Sequence, residues 1–353
     1  MTSFDIVKHL SELIEIKSLS KKEEDAASYL ESILNSNHVK FKRLKNNIYA
    51  KNKHFTEGKY TLLLNSHLDT VKPNIGYSAD PYKAIIKDEK LFGLGSNDAG
   101  GCLMALLGTF LHYYNLKELP FNLVFAASAE EEISGKNGME YLFPYLPKID
   151  FAIVGEPTKM QIALAERGLM VLDVTSEGVS GHAARKEGVN ALYKALDEIQ
   201  WFRTFKFDKV SPEIGEVSMN VTMIEAGTQH NVVPDRCTFV VDVRINDLYS
   251  NKEVLNIIES KVKAQVKARS TRLNSSGVTA DHAIRKVAKS LNISTYGSPT
   301  SSDQALIPCE SIKMGPGDSA RSHTADEFIY LEELTSAVSK YVKVIDDLGK
   351  KVS

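Results

Sequence analysis

The chain has 353 residues, 43% hydrophobic and 25% charged, ordinary for a globular protein and enough for two domains. A formal net charge of -2 gives no reason to expect nucleic acid or an anionic membrane as a partner. The three scattered cysteines, Cys102, Cys237 and Cys309, form neither a disulfide framework nor a thiolate zinc site. They fit a reducing cytoplasm, and neither a signal segment nor a membrane-spanning apolar run is expected.

Phe4, Ile6, Val7, Leu10, Leu13 and Ile14 recur at helical spacing and predict a helix over 4–16. A second amphipathic helix is expected from Glu23 to Leu34, with short strands around Lys42–Lys51 and Tyr60–Ser66. Lys83–Phe92 reads as a hairpin, and the glycine-rich turn Gly93–Gly101 opens into an apolar helix, Cys102–Tyr114. Phe121–Ala127 and Phe151–Val154 read as buried strands. The first runs into Glu130, Glu131 and Glu132, the second into Glu156 and Pro157. Strands separated by helices, with polar residues at strand C-terminal ends, describe an α/β sheet carrying its site along one edge.

The rhythm changes near Arg167. Strands are expected at Leu169–Ser176, Glu216–Glu225, Cys237–Arg244 and Val266–Arg272, with helices at Asn190–Trp201 and Lys252–Lys263. That βαββαβ order is a ferredoxin-like α+β unit. Residues 167–276 are therefore read as an insertion into a first domain made of 1–166 and 277–353. The returning part carries a helix Ala280–Leu291, a strand near Ser311–Met314 and a long helix Leu331–Leu348.

The run Leu62-Leu63-Leu64-Asn65-Ser66-His67-Leu68-Asp69 brings a histidine and an aspartate to a strand end on one face. A carboxylate beside an imidazole fixes its tautomer and suits a metal ligand; the plainer reading is a surface strand end. Further ends present Asp98, Glu131 with Glu132, and Glu156, and a loop far downstream carries His323. Clustered acids repel, and burying them unpaired is costly. Two histidines and three carboxylates can hold two zinc ions if one carboxylate bridges, and manganese or cobalt suits the same donors. Taken singly, Glu130–Glu132 reads as a solvated acidic turn, Glu156 as a helix-start acid and His323 as a helix-cap neighbour. The glycine turn has neither G-x-G-x-x-G spacing nor a Walker lysine, so a phosphate cradle is weakly supported.

Six segments carry a resemblance. They are Ser66-His67-Leu68-Asp69-Thr70-Val71, Gly95-Ser96-Asn97-Asp98-Ala99-Gly100-Gly101, Ala129-Glu130-Glu131-Glu132, Val154-Gly155-Glu156-Pro157, Gly178-Val179-Ser180-Gly181-His182-Ala183 and Ser322-His323-Thr324. In this order, and over nearly the whole chain, they resemble the zinc-dependent aminoacylase and carboxypeptidase superfamily, which includes acetylornithine deacetylase and succinyl-diaminopimelate desuccinylase. The wording Gly93-Leu94-Gly95-Ser96-Asn97-Asp98 is most similar to acetylornithine deacetylase-type members.

The resemblance implies a zinc-exopeptidase-like catalytic domain with a central mixed sheet and an inserted lid or dimerisation domain. It implies that His67, Asp98 and Glu156 hold one zinc, and Asp98, Glu132 and His323 the other, with a cis peptide after the bridging Asp98. Asp69 would orient His67. Glu131, the middle of three glutamates, would be the general base; the first position, usually Asp in relatives, is Glu130 here. His182 would be the lid's oxyanion donor, in many relatives supplied by the second subunit of a dimer. Asn231 would be a second lid contact and Arg244 the ligand of a substrate carboxylate, which backbone N–H groups of the loop with Gly315 and Gly317 could share. The plainer readings are a surface-loop His182 and a solvated Arg244.

The expected activity is that of a cytoplasmic, homodimeric amidohydrolase acting on a small N-acylated amino acid. N-acetyl-ornithine, or an N-acetyl- or N-succinyl-citrulline in arginine biosynthesis, is the first choice. A succinyl-diaminopimelate desuccinylase, a dipeptidase or a carboxypeptidase shares the constellation. A non-catalytic metal or amino-acid binder on the same fold is the reading from another class.

Overall fold

The computed structural model describes residues 4–185 and 187–352. They divide into two units. One comprises the chain up to Leu164, Gly277–Tyr296 and the chain from Ser302 onward; the other comprises Ala165–Ser276 with Gly297–Ser301. The last segment departs from the sequence expectation that all of 277–353 returns to the first domain. Close packing explains it: a β-carbon at Gly297 would come 2.1 Å from the Glu213 carbonyl oxygen of the second unit.

In the first unit, four parallel strands form the middle of a mixed sheet, in the order Asn122–Ser128, Thr61–His67, Phe151–Val154, Ser311–Lys313. An antiparallel hairpin, Phe41–Leu44 and Asn47–Lys51, extends one side, and Ile162–Glu166 runs antiparallel on the other. Both faces of the parallel strands are covered, which is why they read as unbroken apolar runs instead of alternating ones. Leu62, Leu64, Phe125 and Ile153 pack under helices Ile6–Ile14, Glu24–Ser36, Gly101–Tyr114 and Leu331–Val352. Leu63, Val124 and Ala152 face Met139 and Leu142 on the opposite side. Burying each such leucine contributes about 1.5–3 kcal/mol. The parallel strands place their C-terminal ends along one edge, where an open α/β sheet gathers its ligands.

In the second unit, a four-stranded antiparallel sheet has the order Ser218–Ala226, Arg236–Ile245, Gly168–Glu177, Gln265–Ala268. Helices Ala191–Thr204 and Asn251–Lys261 provide the crossovers, as in a ferredoxin-like unit. Gly168–Glu177 and Arg236–Ile245 alternate buried and half-buried residues, so only one face is packed. Phe202, Phe239, Val241, Val254 and Ile258 form that core. Phe202 is thus core, and Trp201 stacks on Phe205 at 4.6 Å.

Candidate metal centre

The strand Thr61–His67 carries His67 to the sheet edge, where it is 2% exposed. Its Nδ1 lies 2.9 Å from the Asp69 backbone carbonyl. With Nδ1–H donating there, a neutral ring directs the Nε2 lone pair away, and that atom sits 3.3 Å from Asp98 Oδ1. The other oxygen of Asp98, Oδ2, is 3.7 Å from His323 Nε2, which lies 2.9 Å from Glu132 Oε2. Asp98 therefore shows one oxygen to each histidine, and its peptide bond to Ala99 is cis. Ligand atoms of His67, Asp98 and Glu132 lie within 4.8 Å of one another.

The glutamates ride on a tight turn, Glu131–Ile133, directly after strand Asn122–Ser128. Asp69 holds that turn. Its Oδ1 accepts from the Glu131 N–H at 3.0 Å, and its Oδ2 from the Glu132 N–H at 3.1 Å and from Ser20 Oγ at 2.6 Å. Asp69 was expected to orient His67 with its carboxylate. The closer contact to the ring comes from its main chain, because the carboxylate, 3.5 Å from Nδ1, is occupied by the turn. Glu130 adopts a left-handed conformation, φ 55°, and its carboxylate accepts from Asn137 Nδ2 at 2.8 Å.

The charges conflict as the sequence anticipates. Desolvation pushes the Glu131 carboxyl well above the usual range, against the pull of His67 and with Glu156, Asp303 and Glu132 adding to it. Desolvation, with Asp98 next, pushes Glu156 up to about 8. Burial alone would lower His67, but hydrogen bonds with Asp69 and Asp98 raise it. The hydrogen bond to Glu132 is the main cause that lifts His323 to about 9. Glu132 Oε1 is buried and finds no hydrogen-bond partner among the described residues. An orphaned carboxylate oxygen, mutually repelling acids and imidazole nitrogens turned toward them are what divalent cations satisfy, so the donor set fits divalent metal.

The structure treats the substrate candidates differently. The Gly315 N–H, expected to face a substrate carboxylate, donates to Thr158 Oγ1 at 3.0 Å. Gly317 has φ +88°, and a β-carbon there would come 2.4 Å from Asn97 Oδ1. In the second unit, His182 and Asn231 are neighbours: Gly181–His182 pairs with Val232–Val233, and the Ala183 N–H donates to the Asn231 carbonyl at 3.0 Å. Arg244 makes a two-pronged pair with Asp242, at 2.8 and 3.1 Å, so it is not simply solvated.

Sequence reasoning missed several supports. Glu23, fully buried, accepts from the Glu130 N–H at 3.2 Å. Glu327 and Asn97 tie the Asp98 segment to the His323 loop. An acid at a predicted helix start or just past a loop carries no pattern that could have revealed these contacts.

The profile of peptidase family M20/M25/M40 matches residues 63–347. The chain belongs to that family. M20 membership makes it a metal-dependent hydrolase. The chain is 26% identical, over 284 residues, to a succinyl-diaminopimelate desuccinylase of Rickettsia felis, covering 73% of each chain. It is also 26% identical to a [LysW]-lysine/[LysW]-ornithine hydrolase of Sulfurisphaera tokodaii, covering 97% of this chain and 95% of that one. Among solved structures, aminopeptidase PepT from Bacillus cereus aligns with a TM-score of 0.77 at 18% identity, over 97% and 98% of the two chains. The M20 metallo-carboxypeptidase Sso-CP2 from Sulfolobus solfataricus aligns with 0.74 at 16%, over 98% and 99%. These two likenesses establish the M20 fold. No helix among the described residues is long and apolar enough to cross a membrane.

Proposed function

We propose that this M20 hydrolase is a cytoplasmic, two-zinc deacylase that cleaves the amide between an acyl group and a small α-amino acid. N-acetyl-ornithine is the first choice, and N-acetyl- or N-succinyl-citrulline the next, within arginine biosynthesis. The reading rests on the convergence of His67, Asp98, Glu132 and His323, with Glu131 held beside them on the same turn. His67, Asp98 and Glu156 would hold one ion; Asp98, Glu132 and His323 the other, and cobalt or manganese could replace zinc. Bound there, such a pair supplies Lewis acidity that brings water's pKa toward neutrality.

Glu131 is the chain's proton carrier in this scheme. Its carboxylate takes a proton from the attacking water and passes it to the departing amine. Being on the turn that Asp69 clamps, it keeps its place through both transfers. His182 and Asn231 would donate to the developing oxyanion, and Arg244 would bind the substrate carboxylate in the fork geometry it now uses on Asp242.

We further propose that two copies pair through the second unit. Strand Ser218–Ala226 forms an edge of its sheet, with Met223 65% and Ile224 51% exposed, a surface suited to pairing with another strand. Light scattering at the mass of one chain would overturn this.

The near-full-length match to the Sulfurisphaera hydrolase favours a second reading, in which lysine or ornithine is released from a LysW conjugate. The deciding experiment is hydrolysis, with and without added zinc, of N-acetyl-ornithine, N-acetyl-citrulline, N-succinyl-citrulline, N-succinyl-diaminopimelate, a LysW–ornithine conjugate and several dipeptides. Zinc-dependent release of acetate from N-acetyl-ornithine is the expected result. Turnover confined to dipeptides makes the protein a peptidase, and turnover confined to the conjugate selects the second reading. Tight metal binding with no turnover of any substrate leaves a binder on the same fold.

A further inference from the structure

The side chains that converge on the centre come from distant parts of the chain, and something must hold their segments in register. Asp98 sits in a short irregular stretch, Ser96–Gly100, and His323 in a loop between Ser319–Arg321 and strand Phe328–Tyr330. Neither segment is a regular strand whose ladder would fix it. Glu327, 2% exposed, lies in the same loop as His323 and reaches across to the Asp98 segment. Its Oε1 accepts the N–H groups of Asn97 and Asp98, both at 2.8 Å, and its Oε2 accepts that of Gly95 at 3.0 Å. Three main-chain donors thus converge on one buried carboxylate. Asn97 adds contacts the other way: Oδ1 accepts from the Asp318 N–H at 2.9 Å, and Nδ2 donates to the Asp318 carbonyl at 3.1 Å and to Ser322 Oγ at 3.3 Å.

We propose that Glu327 is a positioning residue whose carboxylate locks the Asp98 segment to the His323 loop and so sets the affinity of the ion these two residues share. The proposal rests on the two-ion reading above. Glu327 contributes no ligand atom. Its effect is on the spacing between Asp98 and His323, so it falls most heavily on the ion needing both and least on the one assigned to His67, Asp98 and Glu156. Groups that orient metal ligands from behind typically govern affinity by 10–100-fold.

Glu327→Gln is nearly isosteric, but one arm becomes a donor. An amide oxygen kept on Asn97 and Asp98 turns the NH2 toward the Gly95 N–H, so one of the three contacts is lost. Zinc titration of the metal-free full chain by calorimetry reads the outcome. The wild type is expected to take up two ions, and Glu327→Gln to bind one with its affinity lowered 10–100-fold and the other within about threefold. Glu327→Asp keeps the charge and withdraws it by one methylene, and the same selective loss is expected. It also carries the test if Glu327→Gln fails to fold.

Two ions bound with wild-type affinity by either folded variant overturns the proposal and leaves the two-ion reading standing. Equal weakening of both ions also overturns it, since that marks general loosening. Failure of the two-ion reading looks different: the wild type takes up fewer than two ions, or His67→Ala and His323→Ala leave uptake unchanged.

Discussion

The two units solve opposite electrostatic problems. In the second, charges are paired at the surface: Arg269 meets Asp173 at 2.8 Å, Arg244 meets Asp242, and strands alternate between packed and solvated faces. In the first, the sheet is covered on both sides, and desolvation at its edge, with repulsion between acids added, lifts the pKa values of Glu131 and Glu156. The first carries an unbalanced cluster that its hydrophobic core must sustain until cations arrive. A site able to bind metals is, without them, a local liability.

The sharpest break in this contrast is at Glu131. Glu131→Gln removes the proposed proton carrier without touching a proposed ligand, and kcat is expected to fall by about 10²–10⁴-fold with metal content unchanged. Undiminished turnover would mean that another group carries the proton. Next in size is the effect of the ions on stability. At a free concentration about 1,000 times its Kd, each ion adds about 4 kcal/mol to the unit that binds it. A chelator should therefore lower the melting transition of the first unit and spare the second; transitions indifferent to chelation would refute the asymmetry.

The pH dependence of ion uptake refines the comparison. Without metal, His323, at about 9, and Glu156, at about 8, hold protons at neutral pH, and the pKa of His67 is raised as well. The raised His323 pKa contributes stability that is complete below the unfolded value and lost as pH rises through about 9. Ions compete with these protons, so binding should release protons at pH 7 and tighten toward pH 9. Calorimetry in buffers of different ionisation heat measures this, and a buffer-independent heat would contradict it. The smallest effect belongs to the second unit, where Arg269→Ala should change stability by about 1 kcal/mol or less, because that pair is exposed. A larger loss in chemical denaturation would show that its surface pairs matter more than their exposure implies.

Much of this was legible because the physics is local. Leu62–Leu64 and Phe151–Val154 are continuous apolar runs that only a doubly covered strand explains, and polar groups follow each directly. The second unit's strands and its two helices are equally local. What stayed hidden depends on partners far away in sequence. The N–H of Gly315 was expected to face a substrate, but Thr158 takes it across 157 residues. The strand Ile162–Glu166 is short and mostly small or aliphatic, with nothing to distinguish it from a loop. Glu327 looked like any acid at the end of a loop, and its three donors lie about 230 residues upstream.

The order in which the gathered side chains occur along the chain has a consequence for synthesis. His67, Asp98, Glu132 and Glu156 all precede Ala165–Ser276, and His323 follows it. A nascent polypeptide therefore exposes the acidic part of the pocket while the ribosome is still building the insertion. The second histidine emerges only afterwards, so the coordination proposed above has to wait for translation to pass residue 323.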